Sequence, residues 1–283
     1  MRIEPPADIL VEPFVRAALA EDLGAGDVTS EACLEPGSRL SAVFAAREAG
    51  VVAGLSCARL AIRTLDSTAR FEARLADGDR LAPGAVIADV EADARALLGA
   101  ERVALNLLSR LSGIATLTEA FVAAVAGNRA KIVDTRKTTA GLRLLEKYAV
   151  RCGGGANHRF GLSDAILIKD NHIAACGSLA TAIDRARSRA PHTMKIEVEV
   201  DGLEQLKEAL DLRCETILLD NFALADLAGA VRLTAGRAVL EASGGVDLST
   251  VGAIAASGVD LISVGALTHS APALDIGLDV VGN

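Results

Sequence analysis

The sequence predicts an α/β protein in two parts, a β-rich N-terminal portion followed by an incomplete or irregular α/β barrel. Three observations carry that reading. The second half holds six short apolar runs, "KIVD" 131–134, "AILI" 165–168, "KIEVEV" 195–200, "TILLD" 216–220, "AVLEA" 238–242 and "DLISV" 260–264. Helix-length segments separate them, which is the rhythm of βα units in a parallel sheet. The first half instead has alternating runs broken by Gly and Pro, "LSAVFAARE", "ARFEARL" and "AVIADVEAD", the period-two pattern of half-buried strands. A chain of 283 residues that is 51% hydrophobic also has ample material for a large core.

Taken in order, the first element is a helix, with Asp8 as its cap and Ile9, Leu10, Phe14, Leu19 and Leu23 at helical spacing before "GAGD" ends it. Pro13 falls early enough to be tolerated near the first turn. Residues 39–91 read as a structural β-sandwich. The turn-rich "DGDRLAPGAVIADVEA" is similar to lipoyl or biotinyl carrier domains, but the stretch contains no lysine to carry the cofactor. "LGAERVALNLLSRLSGIATLTEAFVAAVAG" reads as one helix or two. The boundary between the parts is placed at residues 112 and 113, giving a domain of 1–112 and a barrel of 113–267, with 268–283 returning to the first domain. Six strands are fewer than the eight of a closed barrel, so a seventh is expected near "AVRCGG".

Composition excludes several classes. A net charge of −8 with no basic tail argues against nucleic acid as a partner. No stretch of about 18 uncharged apolar residues indicates a membrane span, and "MRIEPPADIL" lacks a signal-peptide core. The expectation is a cytoplasmic protein. Five scattered cysteines without a C-x-x-C pair read as small buried hydrophobes in a reducing compartment.

Against this acidic background, Lys131 to His172 carries eight Lys or Arg and four acids. That concentration of positive charge suggests a small anionic ligand. The ends of the predicted strands carry the rest of the chemistry. Asp134, Thr135, Arg136 and Lys137 follow the first and Lys169 the second, Glu199 lies near the end of the third, and Asp220 ends the fourth. Active sites of α/β barrels lie at the carboxyl ends of the strands, so these side chains are expected to share one mouth. In the last two units, Ser243-Gly244-Gly245 and Val264-Gly265-Ala266 offer backbone N–H groups for a phosphate. Glu199 and Asp220 either hold a divalent cation such as Mg²⁺, directly or through substrate and water, or pair with Lys137 and Lys169.

The motifs "DTRKTTAGLR", "GGGANHRFGLSDAILIKDNH", "EVEVD", "LLDNF", "SGG" and "SVGALTHS", with "ALAEDLGAGDVTS" and "ERVALNLLSRLSGIAT" before them, together resemble the quinolinate phosphoribosyltransferases (carboxylating nicotinate-nucleotide pyrophosphorylases). One departure is Ala140, where the family usually has Pro. The resemblance implies an N-terminal α/β sandwich and an open α/β barrel of the type II phosphoribosyltransferase kind. It implies transfer of a phosphoribosyl group from phosphoribosyl pyrophosphate to quinolinate with decarboxylation, giving nicotinate mononucleotide for NAD biosynthesis. By the resemblance, Arg136, Lys137, His158, Arg159 and Lys169 surround the dicarboxylate and the pyrophosphate, with Lys137, Lys169, Glu199 and Asp220 as catalytic residues. Glu199 and Asp220 face the ribose hydroxyls and Mg²⁺, while residues 243–245 and 264–266 hold the 5′-phosphate. Arg102, by itself a helix-surface arginine, becomes the residue that completes a partner's site in a homodimer, with a hexamer as the larger alternative. A related enzyme for another aromatic nitrogen acid, and a non-catalytic phosphate-ligand sensor, are the rival expectations.

Overall fold

A helix opens the chain, and the face it buries is not the one its apolar residues suggest. In the computed structural model, which describes residues 3–281, α1 spans Asp8–Leu23 and buries Val11, Val15 and Leu19, an i, i+4, i+8 stripe. Ile9 and Leu10 are exposed. Ala7 is the N-cap and makes no side-chain cap bond. Asp8 is therefore not the cap; it pairs with Arg59 at 2.8 Å. By contrast, α2 (Val28–Cys33) is capped by Asp27, which accepts from the N–H groups of Thr29 and Ser30 at 3.1 Å each.

The chain continues through β1 (Arg39–Ala46), β2 (Gly50–Val51), α3 (Leu55–Leu65), β3 (Arg70–Ala73), β4 (Arg80–Leu81), β5 (Val86–Asp93) and α4 (Ala94–Ala124). Helix α3 lies inside the region read from sequence as all strand. Its buried Leu55, Cys57, Ala58, Ala61 and Ile62 follow helical spacing that the flanking β-like runs obscured. After α4 come β6 (Lys131–Val133), α5 (Arg143–Cys152), β7 (Ile166–Ile168), α6 (Asp170–Cys176), α7 (Leu179–Arg189) and β8 (Ile196–Val200). The last elements are α8 (Leu203–Asp211), β9 (Thr216–Asp220), α9 (Leu224–Thr234), β10 (Val239–Ser243), α10 (Val251–Ala256), β11 (Leu261–Ser263), α11 (Ala266–His269) and β12 (Ile276–Val280).

Two compact units result. The first comprises the chain up to Glu119, the segment Thr138–Gly154 and the chain from Leu267 onward; the second comprises Ala120–Lys137 and Gly155–Ala266. In the first, an antiparallel sheet has the order β12-β1-β5-β3, and β2 pairs with β4 alongside it. Ala88, Val90 and Ala92 of β5 turn inward while Asp89, Glu91 and Asp93 stay partly exposed, the alternation expected of a sheet with one covered face. Arg47 of the loop after β1 grips Asp279 of β12 through both guanidinium nitrogens. Helix α4 is a single 31-residue element. It contains a window apolar enough by length and composition to cross a membrane, although Arg102, Arg110 and Glu119 break the uncharged run, and 44% of that window is buried inside the protein. Its buried Leu97, Val103, Leu108, Leu111 and Ile114 mark it as a core helix. Gly113 on α4 lies so close to Pro272 that an added Cβ would stand 1.8 Å from the Pro272 carbonyl oxygen, which no side chain could occupy.

In the second unit all six predicted strands form one parallel sheet in the order β6-β11-β10-β9-β8-β7. Ile132, Ile168, Val198, Ile217, Leu219, Leu240 and Ile262 are buried along it, each worth about 1.5–3 kcal/mol on burial. Among the described residues β6 and β7 are not paired to one another, so the barrel is open. The seventh strand expected near "AVRCGG" is instead the last turn of α5. Just beyond it, Ala156 makes an isolated parallel bridge to Val133, one residue pair where a strand was expected.

Candidate active site

Because the strands are parallel, their carboxyl ends deliver side chains to one rim. Thr135, Arg136 and Lys137 leave β6, Lys169 leaves β7, Glu199 sits near the end of β8, Asp220 ends β9, Ser243 ends β10 and Ser263 ends β11. These residues, with His158, Arg159 and Glu241, line a cleft of about 190 Å³. A larger cleft of about 620 Å³ beside β7, α6 and α7 is lined mainly by apolar side chains and gathers no acid. Chemistry rather than volume singles out the strand-end cleft.

Four of the eight basic residues of the 131–172 cluster line it: Arg136, Lys137, Arg159 and Lys169. Three of the others, Arg143, Lys147 and Arg151, belong to α5 in the first unit. His172 serves α6, its Nδ1 accepting the Lys169 N–H at 3.0 Å. Burial and the nearby Arg136 together pull the Arg159 guanidinium below its ordinary pKa. Two guanidinium groups brought this close suit a ligand with two carboxylates.

Lys169 and Glu199 form an ion pair across the neighbouring strand ends. One of the two arrangements left open by the sequence, acids paired with site lysines, is thus realised for Glu199. Asp220 accepts from the Asn221 side chain at 2.8 Å. Asn221 also explains a glycine: with φ at +97°, Gly244 approaches it so closely that a Cβ would lie 2.1 Å from Asn221 Oδ1. Gly245 follows with φ +61° and lies exposed. At the other loop, the Val264 N–H is engaged by the Val133 carbonyl at 2.9 Å and so is not open to an anion. Arg102 is exposed on α4 in the first unit and does not line the cleft.

Two glutamates of the site escape a search for charged strand ends, and the strand-end Asp134 turns inward. Asp134 is fully buried, accepting the His158 N–H at 2.9 Å and the Asn157 side chain at 2.6 Å. Glu197 accepts from His158 Nε2 at 2.9 Å. Glu241 lies 3.7 Å from the same nitrogen. Both glutamates were detectable by period: Glu197 shares a strand face with Glu199, and Glu241 shares one with Ser243.

Fold and cleft define a class, an α/β-barrel enzyme that handles a polyanionic small molecule at the carboxyl ends of its strands. Comparison with known proteins narrows it. Residues 27–112 match the profile of the quinolinate phosphoribosyl transferase N-terminal domain and residues 114–279 that of its C-terminal domain. A nicotinate-nucleotide pyrophosphorylase [carboxylating] of Mycobacterium leprae is 48% identical over 272 residues, 94% of this chain and 95% of that protein. A probable enzyme of the same name from Bacillus subtilis is 47% identical over 92% of this chain and 90% of its own length. The crystal structure of NadC from Streptococcus pyogenes superposes with a TM-score of 0.94 at 42% identity, covering 99% of this chain and all of that one. The chain belongs to the quinolinate phosphoribosyltransferase family.

Proposed function

We propose that the strand-end cleft is where this chain carries out the reaction of its family. That reaction transfers the phosphoribosyl group of phosphoribosyl pyrophosphate to quinolinate with loss of CO₂, yielding nicotinate mononucleotide and pyrophosphate for NAD biosynthesis. The observation that carries the placement is the convergence of Arg136, Lys137, Arg159 and Lys169 with Glu199 and Asp220 in one cleft.

The chemistry asks for what the cleft offers. Two anionic substrates repel each other, and fixed cations hold them in reacting geometry. Arg136 and Arg159 face the dicarboxylate, with His158 behind them positioning Arg159 through its backbone N–H, while Lys137 and Lys169 face the pyrophosphate. As the pyridine nitrogen bonds to C1 of the ribose, the C1–O bond breaks and its electron pair leaves with pyrophosphate. Glu199 and Asp220 stabilise the positive charge that develops on the ribose and hold its hydroxyls. The bond from C2 to its carboxyl carbon then breaks, CO₂ departs, and C2 takes up a proton. Ser243, Gly244 and Gly245, with Gly265 and Ala266, seat the 5′-phosphate, the Val264 N–H being held by the Val133 carbonyl.

Glu199 and Asp220 also suit Mg²⁺. They are two hard oxygen donors on adjacent strands, and Mg²⁺ is commonly held by one or two carboxylates plus substrate phosphates. The ion would neutralise the leaving pyrophosphate. Because Lys169 already engages Glu199, contact through substrate and water is the arrangement we favour. We read the assembly as a homodimer, or a hexamer built of three such dimers, in which Arg102 completes the partner's site, and the location as cytoplasmic.

The test is pyrophosphate release from phosphoribosyl pyrophosphate with quinolinate or nicotinate, with and without Mg²⁺. Rapid, Mg²⁺-dependent release with quinolinate alone is expected. Preference for nicotinate would reassign the acceptor, and binding without turnover would favour a sensor.

A further inference from the structure

Below the rim, His158 Nε2, Glu197 and Glu241 bring their ligating atoms within 4.8 Å of one another. Glu241 is 1% exposed and Glu197 8%. The Oε1 atom of each is buried without a hydrogen-bond partner. Spacing of this kind could hold a metal ion, but the histidine tautomer opposes it. The Arg159 N–H donates to His158 Nδ1 at 2.7 Å, so that nitrogen presents its lone pair and the ring proton resides on Nε2. Nε2 then donates to Glu197 at 2.9 Å and has no lone pair for a metal.

The two glutamates are therefore unequal. Glu197 takes the His158 proton and feels the positive charge of Arg159. Glu241 faces Glu197 from β8, His158 from the segment before β7, Asp134 from the end of β6 and the Ser263 hydroxyl from β11. Two of those neighbours are acids, while Ser263 offers Glu241 a hydrogen bond. A buried carboxylate placed so keeps its proton rather than stand ionised and uncompensated. Burial first, and then Glu197, push the Glu241 carboxyl up to about 7.

We infer that Glu241 is a neutral, proton-bearing carboxyl in the wall of the cleft that donates a hydrogen bond to the anionic substrate, and that its ionisation sets the upper pH limit of substrate binding. The inference rests on the reading of the cleft as the quinolinate site and adds a residue to it. A neutral acid gives an anion a donor without adding negative charge to a wall built to attract it. Once ionised, the same group becomes a buried acceptor facing a dianion.

Two measurements test this. In ligand-free enzyme labelled with ¹³C at glutamate carboxyls, one resonance is expected to titrate near neutrality and to be missing from Glu241→Gln. In calorimetry from about pH 6 to pH 8.5, quinolinate affinity should weaken by up to about tenfold per pH unit above the titration, and Glu241→Gln should lose that dependence. Absence of a neutral-range carboxyl in the unmodified enzyme would overturn the inference, as would parallel pH profiles in the two proteins. The ligand-free titration decides the protonation state whatever the acceptor is. A failure of the quinolinate reading is seen separately, as no pyrophosphate release at any pH.

Discussion

The ammonium of Lys169 and the carboxylate of Glu199 are joined between the ends of adjacent parallel strands, β7 and β8, at the rim of the cleft. The pair sits at the rim rather than in the core, with the Lys169 side chain 43% and the Glu199 side chain 13% exposed, and a pair still open to solvent on one side adds little to stability. Its use is to hold opposite charges at fixed positions before substrate arrives. Glu199→Gln should therefore lower kcat by roughly a hundredfold and leave thermal unfolding nearly unchanged. Steady-state kinetics beside calorimetric melting checks both parts.

Lys137 is exposed at the mouth. Lys137→Ala is expected to cut kcat/KM by roughly a hundredfold or more, with a stability change within about 0.5 kcal/mol. A variant that melts far below the parent yet retains normal kinetics would remove Lys137 from the site.

Glu146 behaves in the opposite way. It is fully buried in the first unit, where it accepts from Arg110 at 2.9 Å and from the Thr139 N–H and hydroxyl at 2.9 and 2.7 Å. Removing it strands the Arg110 charge. Glu146→Ala should lose about 3–5 kcal/mol in urea unfolding.

The thiols are expected to be bystanders. Burial pushes Cys57 and Cys152 up to about 12, while Cys33 is exposed and Cys176 partly so; not all five are the buried hydrophobes expected from sequence. Iodoacetamide at about pH 8 should label Cys33 ahead of Cys57 and Cys152. Cys152→Ser and Cys176→Ser should both stay active, the former losing about 1–3 kcal/mol of stability for its buried hydroxyl.

Much of this was legible in the sequence, for reasons that differ by region. The parallel strands are buried along most of their length, so they read as mainly apolar runs, and their polar ends stood out. Helix α3 was missed because its helical stripe is enclosed by strands of similar composition. Three of the eight residues of the basic cluster proved misleading, since sequence distance does not reveal that α5 carries Arg143, Lys147 and Arg151 into the other unit. Glu197 and Glu241 passed unnoticed because a search for charge at strand ends does not look inside the strands.

Arg102 tests the proposed sharing of sites between protomers. If it completes a partner's cleft, Arg102→Ala and Lys137→Ala are each inactive, and mixing them restores about one competent site per heterodimer. No recovery after subunit exchange confirmed by native mass spectrometry would rule out the shared site.

The pairing of β12 with β1 has a bearing on how the protein is made. The sheet begun at Arg39 is closed only by Ile276–Val280, with Ala42 opposite Val280 and Phe44 opposite Leu278. A ribosome releases the first strand long before its neighbour exists, so for most of synthesis one side of β1 is an open template for another strand. The parallel sheet, whose strands all lie between Lys131 and Ser263, can assemble earlier. Maturation of the N-terminal unit then waits on Ile276–Val280 to emerge, and a nascent chain stalled before Ile276 would be the species most exposed to mispairing and most in need of a chaperone.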